Sequence, residues 1–190
     1  MSSHFYAMMS RMKNIQRWGL MRNTRPENLC EHTLEVAFIA HALTIIKNRR
    51  FGGNVDQNAV AVAAMFHDTS EIITGDMPTP IKYYNADIKN VYKEIEGIAQ
   101  NRLIGLLPED LRDDFLPVYN PDSETVRLVK AADKISALIK CIEEKNSGNS
   151  EFSSAEKSTL EAIKKMNMPE ADMFLDEFLS SYSLTLDELK

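Results

Sequence analysis

The stretch LEVAFIAHALTIIK, residues 34–47, is apolar around almost its whole helical circumference, which predicts a helix buried at the centre of the fold. Upstream, Pro26 and Asn28 supply a start signal, and FGGN at residues 51–54 breaks the helix. Asn54 or Asp56 can then cap a further helix through AVAVAAMFHD, residues 59–68. Working outward, Phe5, Met8, Met9, Met12 and Ile15 repeat at the spacing of one helical face. Gly75, Pro78 and Pro80 mark a loop, because prolines that close cannot both sit in a helix interior. Ile88, Val91, Ile95 and Ile98 mark an amphipathic helix that stops before Pro108. Ser123 with Glu124 opens a long helix carrying Val126, Val129, Ile135, Leu138 and Ile142, and NSGN at 146–149 ends it. Two more helices surround Leu160 to Met166 and Asp172 to Leu179. Alternating strand patterns are essentially absent, so the expectation is an all-α fold in one domain over residues 1–190.

A chain of 190 residues with 44% hydrophobic and 26% charged residues has the composition of an ordinary globular domain. The formal net charge of −6 and the lack of a basic stripe argue against a nucleic-acid polymer as partner. A small anionic substrate is compatible, provided that its site supplies local positive charge. The N-terminal MSSHFYAMMSRMK has no uninterrupted apolar region or small-residue cleavage site, and no run is read as approaching membrane-spanning length. Cys30 and Cys141 lie far apart, which fits two reduced thiols. The expected setting is therefore the cytoplasm, with no membrane partner.

The polar residues that fall where apolar ones belong carry the chemistry. There are four histidines: His4, His32, His41 and His67. His32 lies in the first turn of the central helix, His67 and Asp68 end the next, and Asp133 sits inside the long helix in LVKAADKISAL. An interior Asp is costly unless paired or metal-bound, and a salt bridge to a neighbouring helix would also serve. Together, two imidazoles and two carboxylates on three helices make a mixed nitrogen and oxygen set suited to one octahedral first-row divalent ion. Glu71, four residues beyond His67, shares that side if the helix continues, beside the metal where a group handling a bound water belongs. A solvated terminal carboxylate is the plainer alternative. His41 is rotated by about 180° from His32 on a helix and points elsewhere.

RWGLMRNTRPEN, residues 17–28, brings Arg17, Arg22 and Arg25 near His32 in sequence. Guanidinium suits bidentate phosphate recognition, although each arginine alone could be a surface residue. Trp18, the only tryptophan, either packs in the core or walls the site. In TGDMPTP, residues 74–80, Asp76 could accept a sugar hydroxyl or could serve ordinary turn chemistry.

The order His32, His67-Asp68, Asp133 resembles the H…HD…D signature of the HD-domain metal-dependent phosphohydrolases. RWGLMR (17–22), ENLCEH (27–32), HDTSEIITGDMPTPIKY (67–83) and KAAD (130–133) resemble one branch, the bacterial 5′-deoxynucleotidases, over nearly the whole chain. That resemblance implies metal ligation by His32, His67, Asp68 and Asp133, and a Glu71 that acts on the nucleophilic water. It implies that Arg17 and Trp18 hold and orient the phosphate. Asp76, Met77, Pro78 and Thr79 would contact the nucleoside, with His32, Asp68 and Asp133 also facing the substrate.

The implied reaction is hydrolysis of a deoxyribonucleoside 5′-monophosphate to deoxynucleoside and phosphate, selective against ribonucleotides, by a homodimer. The implied cofactor is one divalent transition metal per chain, cobalt first and manganese, zinc, nickel, iron or copper as alternatives. Two other readings stand beside it. One is an HD phosphohydrolase acting on a nucleoside triphosphate, an alarmone or a cyclic nucleotide. The other is a non-catalytic metal-binding regulatory module, against which an intact Glu71 argues.

Overall fold

The computed structural model describes residues 2–82 and 84–190, and for Thr79 the backbone only. In chain order the helices are α1 (Phe5–Met9), α2 (Leu29–Arg50), α3 (Gln57–Phe66), α4 (Glu71–Thr74), α5 (Thr79–Lys82), α6 (Ala86–Ile104), α7 (Arg112–Tyr119), α8 (Ser123–Asn146), α9 (Ser153–Lys165) and α10 (Pro169–Phe178). Among the described residues there is no strand, only an isolated antiparallel bridge between Gln16 and Asn28. The fold is all-α, as expected.

Local signals start the elements that matter. The Asn28 side chain accepts from the backbone of Cys30 and Glu31, and the Glu31 carboxylate returns to the Asn28 N–H, a complete capping box for α2. Asp56 rather than Asn54 caps α3, and Asp122 rather than Ser123 caps α8. The N-terminal apolar repeat is helical only over Phe5–Met9 and then tightens into a 3-10 turn over Ser10–Asn14 that buries Met12.

α2, α3 and α8 pack against one another and form the core. Val36, Ala37, Ala40 and Leu43 meet Val60, Ala63 and Ala64 together with Leu128, Ala131, Ala132 and Ile135. Alanines on all three helices permit close approach, since helix separation follows the side chains at the contact. This brings the start of α2, the end of α3 and the middle of α8 to one place.

Three expectations change. The all-round apolarity of α2 is not all burial: Leu34, Phe38 and Ile45 form an exposed stripe, with Phe38 68% exposed. α2 is also, by length and composition alone, apolar enough to cross a membrane, so the reading that no run approaches that length does not hold. Its other face, however, is packed in the core. In α6 the predicted helix forms, but Val91, Ile95 and Ile98 face outward while Tyr92, Ala99 and Leu103 are buried. The helical period holds, but the buried arc is turned by about 90° from the apolar one. α7, with Pro117 inside it, has no counterpart in the sequence reading.

The loop between Arg17 and Asn28 is tied to the core by one buried carboxylate. Glu144 accepts from Lys140 Nζ at 2.5 Å, from the Thr24 N–H at 2.8 Å and hydroxyl at 2.7 Å, and from Asn149 Nδ2 at 2.8 Å. Burial opposes its charge, but Lys140 and Thr24 outweigh that and hold the Glu144 carboxyl well below the ordinary range. Glu144→Ala strands a buried ammonium and is expected to cost about 3 kcal/mol in urea unfolding. Because the folded pKa is depressed below 4.5, this contribution is complete above that pH and fades as pH falls through the folded value. The stability gap between wild type and Glu144→Ala should therefore narrow in acid.

Candidate active site

α3 stops at Phe66, where the backbone shifts to three-residue turns: the His67 N–H donates to the Ala64 carbonyl at 3.4 Å, and the Thr69 N–H and hydroxyl donate to the Phe66 carbonyl at 3.2 and 2.8 Å. The helix therefore does not continue through Glu71. Residues 67–70 form a turn, and α4 opens with the Glu71 N–H donating to the Asp68 carbonyl at 3.0 Å. Glu71 still arrives beside Asp68, and its side chain is buried.

His32, His67 and Asp68 each place one ligand-type atom within 4.8 Å of the others. Asp68 Oδ2 lies 3.1 Å from His67 Nε2 and 3.6 Å from His32 Nε2. Asp133 Oδ1 joins from the His32 side, 3.2 Å from Nε2. Asp133 is not sealed in an apolar interior as its helix suggested: its side chain is 37% exposed at the edge of the cluster.

Both imidazoles are set for coordination. His67 Nδ1 faces the Ala64 carbonyl at 2.7 Å, and a carbonyl only accepts, so Nδ1 carries the proton. His32 Nδ1 faces Ser136 Oγ at 3.1 Å, and Ser136 donates to Glu35 Oε2 at 2.6 Å. With its one proton given to Glu35, the hydroxyl accepts from the His32 Nδ1–H. Each Nε2 is thereby left facing carboxylates, and both Nε2 atoms are buried without a hydrogen-bond partner. Buried polar atoms are normally satisfied, so two orphaned imidazole nitrogens beside two carboxylates fit a divalent cation.

The electrostatics agree. Burial would lower the His67 pKa, but Asp68 and then Asp133 outweigh it and push it up to about 9. Burial would raise Asp68, yet His67, followed by Arg17 and His32, hold it well below the ordinary range. Burial first, then Asp68 and Asp76, raise the Glu71 carboxyl to about 9. Glu71 Oε2 is also buried without a hydrogen-bond partner. A divalent ion at the cluster would displace the imidazole proton and relieve the crowding of carboxylates.

Of the three arginines only Arg17 reaches the cluster, with Nη1 3.4 Å from Asp68 and Nη2 3.9 Å from Asp133. Arg22 turns away to Glu151, and Arg25 meets Glu144 and Lys140 through its backbone. Trp18 packs its ring on Phe152 at 5.3 Å, the packing role that the sequence left open. Its φ of +58° is unusual for a bulky residue and is held by its surroundings. Asp76 is close enough to interact with Arg17, Asp68 and the Trp18 backbone. Met77 and Pro78 are half-buried in the loop after α4, and the Thr79 side chain lies outside the described residues. His41 is half-buried and His4 exposed, and neither joins the cluster. Cys30 and Cys141 are free thiols.

Sequence reasoning missed Ser136, Glu35 and Glu27. Ser136 follows Asp133 by three residues on α8, the spacing of one helical face, and that signal was available. Glu27 stands next to the α2 cap, where nothing local distinguishes it from a solvated carboxylate.

The family described as 5′-deoxynucleotidase YfbR-like matches residues 4–182. The chain is 47% identical over 190 residues to a 5′-deoxynucleotidase of Vibrio parahaemolyticus, covering 98% of each. It is 50% identical over 191 residues to a 5′-deoxynucleotidase of Pectobacterium atrosepticum, covering 98% of this chain and 96% of that one. Among solved structures it is similar to an HD-domain phosphohydrolase of Listeria innocua, with TM-score 0.81, 22% identity and coverage of 94% and 88%. It is also similar to the cyanophage S-2L HD phosphohydrolase DatZ bound to dA and one catalytic zinc ion, with TM-score 0.67, 19% identity and coverage of 94% and 96%.

Proposed function

Because the chain belongs to the YfbR-like 5′-deoxynucleotidase family of HD-domain phosphohydrolases, it is a metal-dependent hydrolase of deoxyribonucleoside 5′-monophosphates, and we propose how its residues divide that work. His32, His67, Asp68 and Asp133 hold one divalent transition ion per chain. The carrying observation is the pair of buried, partnerless Nε2 atoms facing Asp68 and Asp133. The family resemblance puts cobalt first, and the mixed nitrogen and oxygen set also accommodates manganese, zinc, nickel, iron or copper. When bound, the ion polarises a phosphate oxygen and makes water more acidic.

Arg17, already turned between Asp68 and Asp133, takes phosphate oxygens on its guanidinium and neutralises the dianion through the transition state. Trp18 walls the phosphate and limits its orientations. Glu71, buried beside Asp68, would take the proton of the attacking water in its ionised form, which a divalent cation at the cluster favours. Asp76, Met77, Pro78 and Thr79 contact the nucleoside. Selectivity against the ribose 2′-hydroxyl belongs to this reading too.

The enzyme acts as a homodimer, a reading supported by the exposed apolar stripe of Leu34, Phe38 and Ile45 on α2. Its free thiols and acidic surface fit one cytoplasmic domain with no nucleic-acid polymer as partner.

Phosphate release from 5′-deoxy monophosphates, their ribo and 3′-phosphate counterparts, and deoxynucleoside triphosphates tests the specificity. Release confined to the 5′-deoxy monophosphates is expected, lost on chelation and regained with cobalt. Equal release from the ribo forms would remove the selectivity.

A further inference from the structure

The residues read as gripping the phosphate and one read as gripping the metal meet at a carboxylate outside both sets. Glu27 Oε2 accepts from the Trp18 indole N–H at 2.8 Å and lies 3.4 Å from Arg17 Nε. Its other oxygen is 3.7 Å from His32 Nδ1. The side chain is 12% exposed, so these contacts are made largely out of water. The backbone repeats the connection, since the Arg17 N–H donates to the Glu27 carbonyl at 2.9 Å and Gln16 bridges Asn28. Glu27 is thus fixed at the neck of the loop, opposite Arg17 and Trp18 at its start.

We infer that Glu27 is a positioning residue for phosphate binding, holding Trp18 and Arg17 in the orientation that receives the substrate. Two physical features support it. Trp18 sits at a φ of +58°, a conformation that persists only where the surroundings over-determine it. The Glu27 hydrogen bond and the Phe152 ring hold its side chain, while the Met21 N–H at 2.9 Å and Asn23 Nδ2 at 3.3 Å donate to its carbonyl. Besides Glu27, Arg17 faces Asp68, Asp133 and, more weakly, Asp76, which together would draw its guanidinium toward the site-side carboxylates. Glu27 pulls on the opposite edge, through Nε, and leaves the terminal nitrogens spread across the cluster.

The contact to His32 plays a lesser part. At 3.7 Å it is longer than a hydrogen bond, and His32 Nδ1 already has Ser136 at 3.1 Å. Glu27 therefore serves the phosphate side, and Ser136 serves the metal side.

This inference rests on the reading that Arg17 and Trp18 meet the phosphate, and the experiment separates the two. Glu27→Gln keeps the shape and an acceptor oxygen but removes the charge facing Arg17, and Glu27→Leu removes both. For Glu27→Gln, KM for a deoxynucleoside 5′-monophosphate should rise about tenfold, and for Glu27→Leu about a hundredfold, the range expected for losing a charge-assisted contact. Cobalt affinity, measured by competition with a chelating dye, should change less than about threefold in either, because the hydrogen bond that orients His32 is untouched. Ser136→Ala should do the reverse, weakening cobalt binding by about 10- to 100-fold with a smaller effect on KM at saturating metal.

Trp18 is the only tryptophan, so emission reports its orientation directly. Inorganic phosphate added to cobalt-loaded wild type should change the emission, and this response should be lost in Glu27→Leu. Trp18→Phe and Glu27→Leu combined should raise KM by less than the product of the single effects, since each removes one end of the same hydrogen bond. Circular dichroism identifies any variant that is unfolded, and the Trp18→Phe arm then tests the same bond from its other end. An unchanged KM in Glu27→Leu and Trp18→Phe, or a cobalt affinity that falls as far as KM rises, would overturn the inference. An unchanged KM in Arg17→Met would instead overturn the underlying reading of the phosphate site.

Discussion

Glu71→Ala is expected to lower kcat by about 10²- to 10⁴-fold while the protein still binds its metal, the loss typical of removing a general base. The buried position of Glu71, the orphaned Oε2 and the pKa near 9 all describe a carboxyl held away from solvent with an unused acceptor. Such a group is costly to the fold. Its folded pKa lies above 4.5, so the ionised form is penalised by folding as pH rises. Glu71→Gln should therefore stabilise the metal-free protein by about 2 kcal/mol near neutral pH, a melting-temperature gain of a few degrees. The sign follows from the direction of the shift: the gain is absent below pH 4.5 and grows as pH climbs toward about 9. Calorimetry on metal-free protein at three pH values checks it, and stopped-flow phosphate release checks kcat. A variant at wild-type kcat with metal saturated would remove Glu71 from the reaction. Stability given up at this residue would be stability exchanged for proton transfer.

Asp68→Ala is expected to abolish both binding and turnover. Its carboxylate is the common neighbour of His67, His32 and Arg17, at 3.1, 3.6 and 3.4 Å. Removing it leaves two imidazoles without an opposing charge between them and frees Arg17 to fall onto Asp133. Removing one charged ligand is expected to weaken metal binding by about 10²- to 10⁴-fold, about 3–5 kcal/mol of binding free energy. Equilibrium dialysis followed by metal analysis should find well under one ion per chain at a cobalt concentration that saturates wild type. Stoichiometric metal in this variant would mean that His32, His67 and Asp133 suffice. Glu71→Ala with metal and Asp68→Ala without it would separate proton handling from coordination.

The helices and the donors in the cluster were legible in the sequence for different reasons. Asn28 with Glu31, and Asp56, announce helix starts because a cap is satisfied by residues two or three positions away. His32, His67, Asp68 and Asp133 stood out because each interrupts an apolar pattern at a cost that local structure does not explain. In α6 the same periodicity misled, since Val91, Ile95 and Ile98 keep helical spacing while facing outward. The turn after Phe66 was also unreadable, because residues 67–70 carry neither a proline nor a glycine to mark the break.

By itself, then, the sequence determined the helical class, the capped starts of α2 and α3, and which residue types would supply nitrogen and oxygen donors. These are short-range properties, decided by hydrogen bonds and patterns within a turn or two. Only the tertiary structure decided that Arg17 and not Arg22 or Arg25 enters the cluster, that Asp133 sits at its open edge, and that Ser136 and Glu27 stand behind His32 and Trp18. Those outcomes depend on how closely α2, α3 and α8 cross, and the alanines that set that approach carry no local mark of the partners they will meet.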